Sequence, residues 1–207
     1  MHRKMDAKND MPICPDWVWL NNSNVHVAKD RGWFKTYTPF TSTIRHSIFT
    51  SHGHLPVLGV GTVEIPTKRS PNRSGKTSYG SLYLKQVLHV PGFVCNVIGY
   101  SIITSDGYSV VTKIDPIKKG TIKDTQGKNM AYFDPKGRLF NVKVRNQPGG
   151  PKLGPSPLRK YACYMLSCEW DSSEQQRWLD HRAECSLSTN PSYTDAEKKV
   201  FQSYLAS

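Results

Sequence analysis

No run of apolar residues in this chain approaches the roughly 20 that a membrane-spanning helix needs, and only 37% of its 207 residues are hydrophobic. A helical membrane protein is excluded. The first ten residues, Met1 to Asp10, also lack an apolar stretch: they are charged and lead into Pro12 and Pro15, which is not the pattern of a secretory signal. An intracellular location, cytoplasmic or nuclear, is the expectation. Cysteines are few and odd in number (Cys14, Cys95, Cys163, Cys168 and Cys185), so a disulfide framework is not indicated and reduced thiols are expected. Acidic residues are scarce as well, 16 against 28 Lys and Arg. The imbalance is local: residues 1–168 hold 24 of the cations and 9 of the acids, a net +15, which leaves −3 for the remainder. Clustered positive charge attracts polyanions whatever the fold, while a solvated basic surface is the plainer account of it.

Residues 17–145 read as β-rich. Short runs of β-branched and aromatic residues recur between turn signals at Ser47–Thr50, Val57–Ile65, Ser81–Val90, Tyr108–Val111, Thr121–Lys123, Met130–Phe133 and Leu139–Val144. Asp106-Gly107, Gln126-Gly127 and Lys136-Gly137 stand between such runs, where glycine permits the positive φ of tight hairpins. Thr67 to Ser78 is polar, basic and without packing residues, which predicts a hairpin tip. Such spacing predicts a compact barrel or sandwich.

Residues 147–158, rich in proline and glycine, predict a linker between this domain and a C-terminal appendage over 159–207, with residues 1–16 as a flexible tail. In the appendage Asp171-Ser172-Ser173-Glu174 and Thr194-Asp195-Ala196-Glu197 have the capping-box pattern, predicting helices near 172–185 and 195–205 that pair as a hairpin. Trp178, Leu179 and Ala183 would face Ala196, Val200, Phe201, Tyr204 and Leu205. That is a thin core for about fifty residues.

Four segments in the same order carry a resemblance. Trp17-Val18-Trp19-Leu20-Asn21-Asn22-Ser23-Asn24-Val25-His26-Val27 resembles a Trp-Ile-Leu-Asp-Ser-Gly-Ala-Ser-x-His-Met segment, and Val57 to Val63 a Gly-x-Gly-Thr-Val strand. Leu84 to Ser101 is similar to Leu-x-x-Val-Leu-Tyr-Val-Pro-x-Leu-x-x-Asn-Leu-Leu-Ser, and the runs Gly120–Asp124 and Gly137–Val142 resemble closing strands. These are the marks of the aspartic-protease region of copia-type (Tnt-like) retrotransposon Pol polyproteins. The resemblance implies a mainly β fold, a retropepsin-like closed β-barrel over 17–146, followed here by the small α-helical hairpin.

It also implies a site, and the site is altered. Aspartic proteolysis needs two carboxylates sharing a proton, one from each subunit of a dimer. In ungapped register Leu20 stands where the catalytic Asp belongs, and Asn21, Asn22 and Ser23 complete a degenerate loop. Asp16 and Asp30 lie several residues away, and Ser105-Asp106-Gly107 reads as a turn. The expectation is a pseudo-protease with no catalytic residue, acting by binding a peptide or by self-association as a homodimer. Two alternatives accompany it: a nucleic-acid-binding module for RNA or DNA, using Lys68, Arg69, Arg73 and Lys76, and a decayed element fragment with no selected function.

Cys163, Cys168, His181 and Cys185 have a zinc-finger spacing. The competing account is two cysteines buried in a helical hairpin, a surface His181 and no cofactor. Ser70 to Thr77 ends like a phosphate-binding loop but lacks its first glycine and any following helix, so it reads as the hairpin tip. His52, His54 and His89 read as surface imidazoles.

Overall fold

The computed structural model describes residues 11–46, 53–113 and 117–189, with side chains to Cys185. It divides into two units, one ending at Glu169 and the other beginning at Trp170.

The first unit is mainly β. Its strands are β1 (Trp17–Trp19), β2 (His26–Ala28), β3 (Phe34–Arg45), β4 (His54–Lys68), β5 (Tyr79–His89), β6 (Asn96–Ile98), β7 (Ser109–Val111), β8 (Thr121–Lys123) and β9 (Asn129–Tyr132), with a short helix α1 (Ser101–Thr104) after β6. Six of them form one sheet in the order β1-β6-β2-β5-β4-β3, and β7-β8-β9 form a second. The hydrogen-bonded ladder thus runs between two outer strands, β1 and β3, and does not close into the single expected barrel. Isolated bridges Val18↔Asn141, Thr67↔Val144 and Phe133↔Val142 tie the segment after β9 to both sheets. The run expected over Leu139–Val144 therefore appears as bridges, while Ser47–Thr50 lies outside the described residues.

Between the sheets is the main core. Ile65, Leu82, Leu84, Ile98, Ile102, Ile122 and Phe133 are each at most 1% exposed and pack with Trp17, which stands edge-on to Trp33 at 5.5 Å between ring centres. Full burial of a large aliphatic side chain is worth about 1.5–3 kcal/mol. That driving force explains how strands of three residues persist.

β5 carries a bulge. The register steps from Gly61↔Val87 to Val63↔Leu84, so that Lys85 and Gln86 oppose a single residue, and Gln86 takes up the extra residue at φ 48°. The bulge takes the Lys85 N–H out of the ladder, and it donates instead to Asp106 Oδ1 at 3.2 Å.

Two boundaries differ from the sequence expectation. Ile13 and Cys14 are buried, and the Ile13 N–H donates to the Lys152 carbonyl while the Gly154 N–H donates back to Ile13. Ser156 Oγ reaches Asp16 Oδ2 at 2.5 Å. Ile13 to Asp16, expected in the tail, thus belong to the first unit, and the proline-rich segment lies along them because Ile13 and Leu153 share the core. In the second unit α2 covers Ser172–Thr189, with Arg177 bonded to Glu174 one turn back. The helix expected near 195–205, and so the hairpin, falls outside the described residues.

Where β3, β4 and β5 meet, Phe34, Tyr37 and His89 stack edge-on at 5.3–5.6 Å, with the Arg31 guanidinium 3.9 Å above the Tyr37 ring. His89 is buried here, not on the surface as its sequence context suggested. Burial, with Arg31 nearby, holds its imidazole below the ordinary 6.5, against an opposing pull from Asp30. Between the lowered folded value and 6.5 the unfolded chain binds more protons, so this contribution is present above pH 6.5 and is lost as pH falls through that window. The denaturation midpoint is therefore expected to be lower at pH 5.5 than at pH 7.5, with a smaller difference in His89→Gln. An unchanged pH response in that variant would remove His89 as the cause.

Candidate functional site

β1 and β6 run parallel, pairing Trp17 with Asn96 and Trp19 with Ile98, and β2 returns antiparallel to β6 through Val27 and Val97. The turn between β1 and β2 is therefore pinned at both ends over β6. The Leu20 N–H continues the pairing by donating to the Ile98 carbonyl, and its side chain joins the apolar cluster of Cys14, Val18 and Cys95. Asn21 and Asn22 form the exposed turn, with Asn22 Nδ2 donating to the Leu166 carbonyl at 3.0 Å. Ser23 turns inward and is 1% exposed.

His26 is the hub beneath the turn. Its Nδ1 accepts the Gly99 N–H at 3.1 Å, which assigns the ring hydrogen to Nε2. Nε2 lies 2.9 Å from Asp106 Oδ2 and 2.9 Å from Ser101 Oγ, and the His26 and Asp106 side chains are both fully buried. Serine, histidine and aspartate meet here, but a nucleophilic relay needs serine at one ring nitrogen and the carboxylate at the other. Both share Nε2, so no lone pair faces the hydroxyl. The group fastens β2, α1 and the bulge of β5 to one another.

The nearby carboxylates are similarly engaged. Asp30 Oδ2 accepts the Cys14 N–H at 2.7 Å, and Asp16 accepts from Asn141 Nδ2 at 3.2 Å as well as from Ser156. A cavity of about 340 Å³ opens beside the turn, lined by Asn21 to Asn24, Tyr100, Ser101, Thr104 and Glu169. Glu169 supplies the one carboxylate in that lining, and it pairs with Arg45 at 2.8 Å.

Across the turn lies an extended segment of the same chain. The Cys168 N–H donates to Ser23 Oγ at 2.8 Å, the Asn24 N–H donates to the Cys168 carbonyl at 3.1 Å, and Glu169 exchanges two backbone bonds of 2.9 Å with Arg45 at the end of β3. Residues 166–169 thus bridge the turn and the last residue of an outer strand. Nothing local in the sequence announces this, because the partners are more than 120 residues apart.

The other candidates are distributed as follows. Arg69 and Arg73 line a cavity of about 400 Å³ together with Lys123 and Lys128 from the β8–β9 hairpin, which sequence reading did not single out; Lys68 and Lys76 are not in its lining. Cys163 is exposed, Cys168 is buried, and Cys185 Sγ lies 3.7 Å from His181 Nε2 one turn away on α2. Cys163 and Cys168 belong to the first unit and His181 and Cys185 to the second, and among the described residues no three His, Cys, Asp or Glu side chains gather as a metal site would require. Burial pushes the thiols of Cys168 and Cys95 far up and that of Cys14 to about 11, which opposes the thiolate a metal takes. His54 is exposed and His52 lies outside the described residues.

The first unit is mainly β, with a polar turn seated over a parallel strand pair. Residues 17–108 match the family model of the Pol polyprotein β-barrel domain, so this part of the chain is similar to a retroelement Pol fragment. No curated protein and no solved structure matches the chain. Among the described residues no helix is long and apolar enough to cross a membrane.

Proposed function

We propose that this chain derives from the aspartic-protease-like region of a copia-type retrotransposon Pol polyprotein, and that it is catalytically inactive and acts by holding an extended peptide against the turn at residues 20–24. The observation that carries the reading is the segment 166–169, which lies on that turn in the manner of a bound peptide, joined by backbone bonds at Asn24 and Arg45 and by Ser23 Oγ. Recognition by strand addition works in this way, with main-chain bonds supplying affinity and neighbouring side chains specificity. Leu20 faces an apolar cluster, and Asn21 and Asn22 carry amides where a water-activating carboxylate would be needed. Because residues 166–169 occupy this turn, an incoming peptide binds by displacing them, and the same cover blocks the face-to-face homodimer of two such loops.

The test is a panel of fluorogenic peptides incubated with the full chain from about pH 3.5 to 7, the range in which a carboxylate dyad titrates. No cleavage is expected at any pH. Hydrolysis with an acid optimum, suppressed by a pepstatin-like inhibitor, would overturn the reading.

A further inference from the structure

We propose that the cavity between the β4–β5 loop and the β8–β9 hairpin binds the phosphodiester backbone of a single-stranded nucleic acid. Four cations from two distant stretches of sequence, Arg69, Arg73, Lys123 and Lys128, line a space of about 400 Å³ with Ser70 and Asn129, and no carboxylate is in the lining. None of the four takes part in an ion pair among the described residues. Asp124, the nearest acid in sequence, is turned to its own hairpin, its Oδ1 accepting the N–H groups of Gln126 and Lys128. Like charges are therefore held together without an internal counterion. Such an arrangement is costly unless an anion enters.

The framework keeps the cations in place. Arg69 is fixed at the loop base by its N–H to the Ser78 carbonyl at 2.8 Å, and Thr67 Oγ1 donates to the Met130 carbonyl at 2.5 Å, which draws β9 and its hairpin alongside β4. Gly127 at φ 76° closes the hairpin whose next residue is Lys128.

A strand is favoured over a free phosphate because four cations drawn from a loop and a hairpin match several successive phosphodiesters better than one anion. A flexible single strand can bend its backbone into a space of about 400 Å³, whereas a stiff duplex does so only at a cost in bending energy. The net +15 over residues 1–168 would steer such a polyanion towards this unit. This site is separate from the turn at residues 20–24, and it stands or falls independently of the peptide reading.

The test uses the full chain and a labelled oligouridylate of about 20 nucleotides, with fluorescence anisotropy followed from about 25 to 300 mM salt. Log affinity is expected to fall against log salt with a slope of about −0.7 per neutralised phosphate, near −2.8 if all four cations engage. Arg73→Glu with Lys128→Glu should lose at least about tenfold in affinity and about half the slope, whereas Lys152→Glu with Lys160→Glu, the same charge change outside the lining, should stay within about threefold. Absence of binding by the unaltered chain at low salt, equal losses in the two double variants, preference for a duplex, or full displacement by millimolar inorganic phosphate at constant ionic strength would each overturn the proposal.

Discussion

Asp106→Ala is expected to lower the stability of the first unit by about 3–5 kcal/mol, the cost of leaving two buried donors without their acceptor at about 1–3 kcal/mol each. The carboxylate has no contact with solvent, yet it answers two donors: His26 Nε2 at 2.9 Å and the Lys85 N–H at 3.2 Å that the bulge in β5 has released. Truncation leaves both donors buried, and neither water nor the ladder can replace the acceptor. At about 2–4 °C for each kcal/mol in a domain of this size, the melting temperature should drop by roughly 10 °C. Asp106→Asn, which keeps one carbonyl oxygen, should lose less. His26→Leu combined with Asp106→Leu should cost less than the two single changes together, because each single change leaves the other side chain unanswered. Urea denaturation of the five variants, the two leucine single changes included, checks this. A loss below about 1 kcal/mol for Asp106→Ala would mean that the pair is not buried as described.

That aspartate illustrates where sequence reading stops. Ser105-Asp106-Gly107 reads as a turn, and a turn is present, with Gly107 at φ 79°, but it joins α1 to β7 and is not a hairpin. The carboxylate's partner lies 80 residues earlier, and no local pattern encodes that approach. β4 is legible through its β-branched residues Val57, Val60, Thr62, Val63 and Ile65, and β5 through the alternation of buried Leu82 and Leu84 with Tyr83 and Lys85, even with a bulge in the ladder. β3 is not, although it spans 12 residues. Its register shifts between Phe34 and Thr36 and again between Pro39 and Ser42, so exposure alternates cleanly only from Phe40 to Ile44 and the period-two signal is lost in the first half. The basic loop was visible through Arg69 and Arg73, whereas Lys123 and Lys128 joined it only when Thr67 and Met130 brought a later hairpin beside it.

Gly99→Ala should cost about 3 kcal/mol, the upper end of the usual range for forcing an added methyl into a packed site, and should loosen the turn that the peptide reading depends on. A Cβ at residue 99 would stand 2.2 Å from the Val25 carbonyl oxygen, 2.7 Å from its carbon and 2.9 Å from the Ser23 carbonyl oxygen. All three are backbone atoms, so no rotamer change relieves the clash. The close approach follows from the topology: β6 passes between β1 and β2, and the turn joining them must fold across the end of β6, where the Gly99 N–H reaches His26 and the Tyr100 N–H reaches the Ser23 carbonyl at 2.6 Å. Displacing residues 23–25 would break these bonds and carry Ser23 Oγ away from the Cys168 N–H. Hydrogen exchange should then show lost protection at Gly99, Tyr100 and Cys168 together. Gly127→Ala is the comparison, since nothing lies within 4 Å of its Cβ position and only the strain of a positive φ applies, about 1 kcal/mol. If the two substitutions cost the same, backbone crowding at Gly99 is not what holds the turn. If Gly99→Ala alone releases residue 168, the glycine is the residue that lets a loop without a carboxylate remain folded over β6 and available to an extended chain.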